Sequence, residues 1–252
     1  MQTASVDPNA ITQADIDLYR RQGYIRFGRI LTDEELTAAR EHVDWLMANL
    51  KEDEWPERMN GIHNYDEKMY ALCTNPRLLD AVEKFIGPNI VLFSSHLLCK
   101  PEREGHAVPW HQDGIFWPLE PMDILTVWLA IDDAGPENGC MRVIPGTHTR
   151  GPIEHVPQDT GTQVLHLGLP MSEVDESKAV DIELKMGEFS LHEPWLIHGS
   201  NVNRSNKRRA GYTMRFMPAT TKLTRTPGFY ETHKMYLVRG QAIPGINDYA
   251  NV

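Results

Sequence analysis

The stretch PWHQDG, Pro109–Gly114, places a histidine and an aspartate two residues apart, directly before a glycine. In a β-strand, residues i and i+2 point to the same face, so His111 and Asp113 could bind one metal ion. Gly114 then lets the chain turn away without steric cost. The alternative is a coincidental surface pair, because the H-x-D pattern occurs again at His42-Val43-Asp44.

The second H-x-D pattern lies in the clearest predicted helix, LTDEELTAAREHVDWLMANL at residues 31–50. Thr32 and Glu35 form a capping box at its start, and an apolar stripe follows with helical spacing. Side chains two residues apart on a helix point about 200° away from each other, so His42 and Asp44 cannot bind the same ion. We expect His42 on the solvent side of this helix.

The sequence around PWHQDG is typical of a β domain. From residue 89 onwards, short apolar runs are interrupted by Gly, Pro, Asn and Asp, as in a sandwich or jelly roll. Strands are predicted at 90–98, 106–113, 123–131, 140–144, 163–168, 180–184, 188–192, 195–201 and 209–217. We therefore predict a mainly β fold with α-helices. A single domain would span 1–252, with a mostly helical layer at 1–88, a jelly-roll core at 89–220 and a C-terminal extension at 221–252.

Two further helices are predicted in the N-terminal layer. ITQADIDLYRRQGY begins with Thr12 as the N-cap and ends at Gly23, and NPRLLDAVEKFIG ends at Gly87 before a proline. The segment Trp55–Tyr70 has weak periodicity and is predicted to be a long loop. Loops of that length in a compact domain often have a function.

Composition restricts the class of protein. The 252 residues carry a formal net charge of −10, which argues against a general nucleic-acid or anionic-membrane binder. There is no secretory signal pattern and no apolar run long enough for a transmembrane helix. The three cysteines, Cys73, Cys99 and Cys140, are odd in number and widely spaced, which indicates free thiols in a reducing compartment. We expect a cytoplasmic protein, and the sequence does not indicate its oligomeric state.

Two protein ligands alone would leave a metal site too open, so a third ligand is needed. The best candidate is His198 in PWLIHGSN, where an apolar strand runs into a Gly-Ser turn. Two histidines and one carboxylate form the facial triad of non-heme Fe(II) oxygenases, which leaves coordination positions open for cosubstrate and O₂. On its own, His198 could equally be a core or turn histidine.

Arg209 lies eleven residues after His198, in RRAGYTMRF at 208–216. In a strand near that of His198, Arg209 and Arg215 would share the inner face with Gly211 and Thr213, while the alternate apolar residues pack under the helices. An inward arginine suits a carboxylate, such as the far end of a 2-oxo dicarboxylic acid. An internal salt bridge is the alternative for Arg209, and Arg204, Lys207 and Arg208 are expected at a solvated hairpin tip.

These motifs together resemble the phytanoyl-CoA dioxygenase family of Fe(II)/2-oxoglutarate-dependent oxygenases. The resemblance extends over nearly the whole chain, and its strength comes from the order of the motifs rather than from H-x-D alone. The motifs are WHQD at 110–113, DILTVWLAIDDAGPENGCMRVIPGTH at 123–148, IHGSNVNRSNKRR at 197–209, and the opening DIDLYRRQGYIRFGRILTDEEL at 15–36.

The resemblance implies a double-stranded β-helix core, cupin-like, with Fe(II) held by His111, Asp113 and His198. It also implies that 2-oxoglutarate is bound by Arg209 and Ser200, beside Trp128, and reacts with O₂ to give succinate and CO₂. Without the resemblance, Ser200 would be interpreted as a turn residue and Trp128 as core.

The same resemblance suggests that His96 reaches the cosubstrate, since VLFSSHLLCKP matches a strand of the family. Related halogenases replace the triad carboxylate with a small residue, so the presence of Asp113 disfavours halogenation. The usual reaction of the family, and the one we expect, is hydroxylation of an unactivated C–H bond of a small-molecule substrate. Desaturation or ring closure would start from the same radical, and the sequence does not separate these outcomes.

The substrate itself is not identified by any motif. Phe116, Trp117, Asn60 and His63 are the candidate pocket residues, although core packing or an ordinary loop would explain each of them. Two other classes stay open: a cupin-like metalloenzyme that does not use 2-oxoglutarate, which would leave Arg209 unexplained, and a non-catalytic binding protein on the same fold.

Overall fold

The computed structural model describes residues 5–159 and 161–251. Four α-helices lie in the first ninety residues: α1 (Gln13–Gln22), α2 (Asp33–Ala48), α3 (Glu67–Cys73) and α4 (Pro76–Ile86). The predicted caps are confirmed. Thr12 and Thr32 each form a capping box, and Gly23 ends α1 in the left-handed conformation that glycine adopts without strain.

Most strands are short, as the turn-rich sequence predicts. The strands are β1 (Tyr24–Phe27), β2 (Met59–Asn60), β3 (Ile90–Lys100), β4 (Val108–His111), β5 (Leu119–Glu120), β6 (Leu125–Ala130), β7 (Met141–Val143), β8 (Val156–Pro157), β9 (Leu167–Gly168), β10 (Val180–Ile182), β11 (Phe189–His192), β12 (His198–Ser200), β13 (Arg209–Pro218), β14 (Lys222–Leu223) and β15 (Tyr236–Arg239). The long exceptions are β3 and β13. Of the strand predicted at 163–168, only β9 forms.

Two antiparallel sheets make the body of the jelly roll. The larger has the order β1-β11-β6-β13-β3-β15, with β2 also paired to β3, and the smaller has the order β10-β7-β12-β4. A large cavity lies between them, lined by side chains from both sheets. The strand of Arg209 therefore belongs to the larger sheet and faces the strand of His198 across the cavity rather than pairing with it.

Strand β13 shows why the larger sheet has one polar and one apolar face. Ala210, Tyr212, Met214 and Phe216 alternate outward into the main core, where they pack with residues of the helical layer. Each of the large side chains contributes about 1.5–3 kcal/mol by burial. The intervening Arg209, Thr213 and Arg215 line the cavity, so the predicted division of this strand into two faces is confirmed.

His42 is not on the solvent side of α2. It is buried, and its Nε2 lies 2.8 Å from Oδ2 of Asp66, the N-cap residue of α3. The amphipathic pattern did not reveal this position because a neighbouring helix covers the flank of α2. The prediction that His42 and Asp44 do not share a metal site is unaffected.

The segment Trp55–Tyr70 is not a long loop. It contains β2, a 3-10 turn at Ile62–Asn64 and the start of α3. Its weak periodicity reflects three short elements in succession, each stabilised by neighbours distant in sequence. β2 pairs with β3, for example, where Asn60 lies opposite His96.

Arg208 is also not part of a solvated hairpin tip. Its Nε lies 2.7 Å from Oδ2 of Asp132, and it forms a further ion pair with Asp44 on α2. These contacts attach the start of β13 to the helical layer. Arg204 and Lys207 are exposed, as expected.

Candidate active site

His111, Asp113 and His198 meet at the open side of the jelly roll. His111 ends β4 and His198 begins β12, and the two are directly opposite each other in the smaller sheet. Asp113 begins a 3-10 turn just beyond β4, so it lies outside the strand in which the sequence placed it. One ligand atom from each of the three residues lies within 4.8 Å of the others, and all three side chains are buried.

Backbone carbonyls fix the orientation of both histidine rings. Nδ1 of His111 lies 2.9 Å from the carbonyl of Pro109, and Nδ1 of His198 lies 2.9 Å from the carbonyl of Leu196. A carbonyl only accepts, so each Nδ1 donates and each Nε2 presents a lone pair. The two Nε2 atoms lie 3.3 and 3.8 Å from Oδ1 of Asp113. This donor set fits a divalent metal ion bound by two neutral imidazoles and one carboxylate.

The two oxygens of Asp113 have different surroundings. Oδ1 faces the histidines, whereas Oδ2 accepts a hydrogen bond of 3.3 Å from the Thr126 hydroxyl and lies 3.7 Å from His192 and 3.8 Å from Arg215. Burial alone would raise the pKa of Asp113. The Arg215 guanidinium, 3.8 Å from Oδ2, and the neighbouring His111 and His192 rings outweigh burial and hold this pKa well below its usual value. Asp113 therefore stays ionised, as a metal ligand must be.

Gln112 and Gly114 hold the loop that carries Asp113. The Gln112 amide donates to the carbonyls of Gly151 and Trp195, and its Oε1 accepts from the Ile153 amide. Gly114 is needed for space, since a Cβ there would lie 2.8 Å from the Trp195 ring. The chain turns at this glycine, as the sequence predicted, within the 3-10 turn Asp113–Phe116, and the close approach of Trp195 is a second reason for a glycine there.

Arg209 points into the cavity without a carboxylate partner among the described residues. It is 2% exposed, one terminal nitrogen donates to the Leu98 carbonyl at 3.2 Å, and its Nε is buried without any hydrogen-bond partner. The guanidinium lies 5.4 Å from the ring centre of Trp128. Burial lowers the pKa of Arg209 to about 10, so it remains cationic at neutral pH. The internal salt bridge considered from the sequence is not observed.

Ser200, Trp128 and His96 also line the cavity, which has a volume of about 820 Å³. His96 Nε2 lies 2.7 Å from the Glu57 carbonyl and so must donate to it. Burial, assisted by Arg215, lowers the pKa of His96 to about 3, which keeps the ring neutral. His96 and Trp128 lie with Arg209 on the larger sheet, whereas Ser200 lies on β12 of the smaller sheet, across the same cavity.

Three of the four candidate pocket residues line the same cavity: Asn60, Phe116 and Trp117. His63 does not. It is buried behind the wall, where its Nδ1 lies 2.7 Å from the Ser95 hydroxyl, and burial lowers its pKa to about 4. Asn60 lies in β2 and His63 in the 3-10 turn that follows it, so their side chains point in different directions even though they are close in sequence.

Sequence reasoning missed His192 and the C-terminal segment. His192 is 1% exposed and lines the cavity, and neither of its ring nitrogens has a hydrogen-bond partner. Alternation along FSLH could have placed it on the inner face with Ser190. From the C-terminal segment, the Tyr230 hydroxyl donates to the Phe116 carbonyl at 2.7 Å, and His233 Nε2 lies 2.7 Å from the Phe93 carbonyl, so this segment forms part of the cavity wall.

A buried cluster of two histidines and one aspartate between the sheets of a jelly roll defines the class of the mononuclear non-heme metal oxygenases. Comparison with known proteins identifies the family within that class. The family model described as phytanoyl-CoA dioxygenase (PhyH) matches residues 19–211. The chain belongs to the phytanoyl-CoA dioxygenase family, whose members are Fe(II)- and 2-oxoglutarate-dependent oxygenases.

Individual relatives agree with this assignment. The peroxisomal phytanoyl-CoA dioxygenase of Bos taurus is 34% identical over 162 residues, which cover 61% of this chain and 47% of that protein. A probable alpha-ketoglutarate-dependent hypophosphite dioxygenase of Stutzerimonas stutzeri is 29% identical over 189 residues, covering 73% and 65%. The chain thus spans about half the length of the first curated relatives it matches.

Solved structures support the fold. EctD from S. alaskensis, with 2-oxoglutarate and 5-hydroxyectoine bound, superimposes with a TM-score of 0.73 at 22% identity, covering 97% of this chain and 88% of that one. No helix among the described residues is long and apolar enough to cross a membrane.

Proposed function

We propose that the protein is an Fe(II)/2-oxoglutarate-dependent oxygenase that hydroxylates a C–H bond of a small-molecule substrate, while 2-oxoglutarate and O₂ are converted to succinate and CO₂. One observation carries the proposal. The three candidate ligand atoms lie within 4.8 Å of one another, and they share a cavity with a buried guanidinium that has no anionic partner.

His111, Asp113 and His198 would hold ferrous iron on one face, which leaves positions for the 2-oxo acid and O₂. Bound iron and 2-oxoglutarate supply the oxidation chemistry. Arg209 would bind the distal carboxylate of the cosubstrate through its planar fork, with the Ser200 hydroxyl as a second donor. The buried walls of the cavity keep bulk water from the reacting groups.

The ionised Asp113 supports hydroxylation over halogenation, because its carboxylate fills the position that a halide would need. The unpaired Arg209 supports the use of 2-oxoglutarate over a cupin-like reaction without a 2-oxo acid. The alternative without 2-oxoglutarate leaves a buried cation with no counterion, which is energetically unfavourable.

The test measures binding before turnover. Adding Mn(II) should raise the melting temperature, and 2-oxoglutarate should raise it further only when the metal is present, since each ligand binds the folded state. Arg209→Gln should abolish the second increase and retain the first. A 2-oxoglutarate effect that is independent of Arg209 would contradict the assignment.

Turnover is then measured as succinate released under O₂ with Fe(II) and candidate substrates. His111→Ala should abolish substrate-dependent succinate formation. His148→Ala is the matched control, because His148 lies outside the cavity, with its Nε2 3.0 Å from the Arg20 carbonyl. Substrate-dependent succinate formation by His111→Ala would rule out the proposed metal site.

A further inference from the structure

The charge of the cavity wall is opposite to that of the whole chain. The chain carries a net charge of −10, yet the described residues that line the cavity include four cationic side chains and a single carboxylate. The carboxylate is Asp113, and the cationic side chains are those of Arg58, Arg209, Arg215 and Lys234. A wall of this composition attracts anions into an otherwise acidic protein.

The cosubstrate of the proposed function does not neutralise this excess. A ferrous ion, the Asp113 carboxylate, the 2-oxoglutarate dianion and the Arg209 guanidinium together sum to zero charge. This sum does not include Arg58, Arg215 or Lys234. Arg58 is engaged with the carbonyls of Val164 and Gln163, and Lys234 is exposed at the cavity rim.

Arg215 is the remaining cation deepest in the cavity. Its side chain is only 12% exposed, and its buried Nε has no hydrogen-bond partner. Its Nε lies 3.8 Å from Oδ2 of Asp113, which forms a loose ion pair beyond hydrogen-bond distance, while the other oxygen of that carboxylate faces His111 and His198. A largely buried guanidinium that makes so few contacts is costly unless a ligand supplies the missing acceptors.

Aromatic side chains surround the cavity side of Arg215. The guanidinium lies 5.3 Å from the ring centre of Trp117, and Phe93 packs edge-on against Trp117 and face-on against Tyr230. Phe116 lines the cavity beside them. The positively charged guanidinium of Arg215 therefore lies next to an apolar wall, close to the candidate metal site.

We propose that the substrate is a small organic anion whose carboxylate, or other oxyanion of similar shape, is bound by Arg215. Its hydrocarbon part packs against Phe116, Trp117 and Tyr230. Since Arg215 is 3.8 Å from a candidate metal ligand, the carbon that is oxidised lies within a few bonds of the charged group. This assignment rests on the proposed oxygenase function and names the class of its substrate.

The competing explanation is that Arg215 only offsets the charge of Asp113. The two explanations differ in what the wild-type cavity prefers to bind. An arginine that serves Asp113 alone gives no preference between an acid and its neutral amide, whereas a substrate-binding arginine favours the acid.

The experiment uses the full chain loaded with Mn(II) and saturated with N-oxalylglycine, an unreactive analogue of 2-oxoglutarate. Calorimetric titrations then compare phenylacetate with phenylacetamide, and cyclohexanecarboxylate with cyclohexanecarboxamide. We expect at least one acid to bind about tenfold or more tightly than its amide, the effect of one charge-assisted hydrogen-bonded pair. If each acid binds no more tightly than its amide, the proposal is wrong.

Two variants assign the preference to Arg215. Arg215→Met should bring the acid to amide ratio close to one, while Lys234→Met, which removes the same charge from the rim, should leave the ratio within about threefold of wild type. Mn(II) affinity and the melting temperature of each variant confirm an intact fold. An acid preference that survives Arg215→Met, or that disappears in Lys234→Met, overturns the assignment.

The two proposals fail in different ways. If N-oxalylglycine does not bind the Mn(II) protein, the proposed 2-oxoglutarate dependence is wrong, and the acid and amide titrations are repeated with Mn(II) alone. An acid preference that depends on Arg215 would then still identify an anion site. If N-oxalylglycine binds and the acids show no preference, only the substrate class is wrong.

Discussion

Gly211 lies beneath the indole of Trp128, so close that a Cβ at position 211 would fall 2.0 Å from Cζ2 of the ring. The two residues lie on neighbouring strands, β13 and β6, and the missing side chain makes the space that Trp128 occupies beside Arg209. A glycine in a buried strand normally weakens packing, and its presence here leaves room for Trp128 at the proposed cosubstrate site.

Gly211→Ala should therefore displace Trp128 and weaken 2-oxoglutarate binding by about tenfold, with a loss of about 1–3 kcal/mol in the free energy of unfolding from overpacking. The affinity is measured by titrating the Mn(II) protein with 2-oxoglutarate. Gly28→Ala is the control, because a Cβ there meets nothing closer than 3.7 Å. Unchanged affinity in Gly211→Ala would show that Trp128 does not shape the cosubstrate site.

Thr126→Val should weaken metal binding by about tenfold, the usual effect of removing a partner that orients a metal ligand. The change is nearly isosteric and removes the 3.3 Å hydrogen bond to Oδ2 of Asp113. Mn(II) affinity, followed by electron paramagnetic resonance, is the measurement. Thr221→Val removes a comparable hydrogen bond to the Asp123 carbonyl outside the cavity and should bind Mn(II) as wild type does.

Arg209→Lys should raise the 2-oxoglutarate concentration needed for half-saturation by about tenfold or more, while Mn(II) affinity stays the same. Lysine keeps the charge and loses the planar fork that binds a carboxylate through two parallel hydrogen bonds. Competition with N-oxalylglycine gives the affinity. A parallel loss of Mn(II) affinity would instead indicate a general disturbance of the cavity.

Stability should depend on pH through Glu193, in the loop between β11 and β12. Burial raises the pKa of Glu193 from its ordinary 4.5 to about 7. Between these values the folded state binds more protons than the unfolded state, so the free energy of unfolding falls as the pH rises from about 4.5 to about 7 and stays lower above that.

Glu193→Gln removes this titration while keeping an oxygen that can accept from the Trp195 amide, which lies 2.7 Å from Glu193 Oε2. The variant should be stabilised at about pH 8 by about 1–2 kcal/mol, a figure reduced for the partial solvent exposure of this side chain, and by much less at about pH 5. Urea unfolding at both pH values measures the difference. An equal effect at both would mean that Glu193 titrates normally.

Local sequence signals predicted the elements that depend on near neighbours. The capping boxes at Thr12 and Thr32 formed because their partners lie three residues away. The two faces of β13 followed from strict alternation, which fixes the side of the sheet that each residue occupies. The candidate triad could also be predicted, since its residues lie in motifs that resemble a known family.

Contacts between distant segments were not predictable in the same way. His42 is buried because α3 packs beside it, and Arg208 is held by Asp132 and Asp44, which are far away in sequence. His192 was missed because a single histidine at the end of a short strand gives no signal of its own. Its place beside Asp113 depends on how β11 and β6 align.

The sequence by itself determined where helices α1 and α2 begin and which face of strand β13 each residue occupies, because those properties depend on backbone geometry over a few residues. Only the tertiary structure decided that the Asp113 oxygens face different partners and that the largely buried Arg215 makes so few contacts. It also decided that the C-terminal segment closes the cavity. These contacts form where the two sheets and the C-terminal segment pack together. Residues far apart in sequence make them, so no pattern over a few neighbouring residues can predict them.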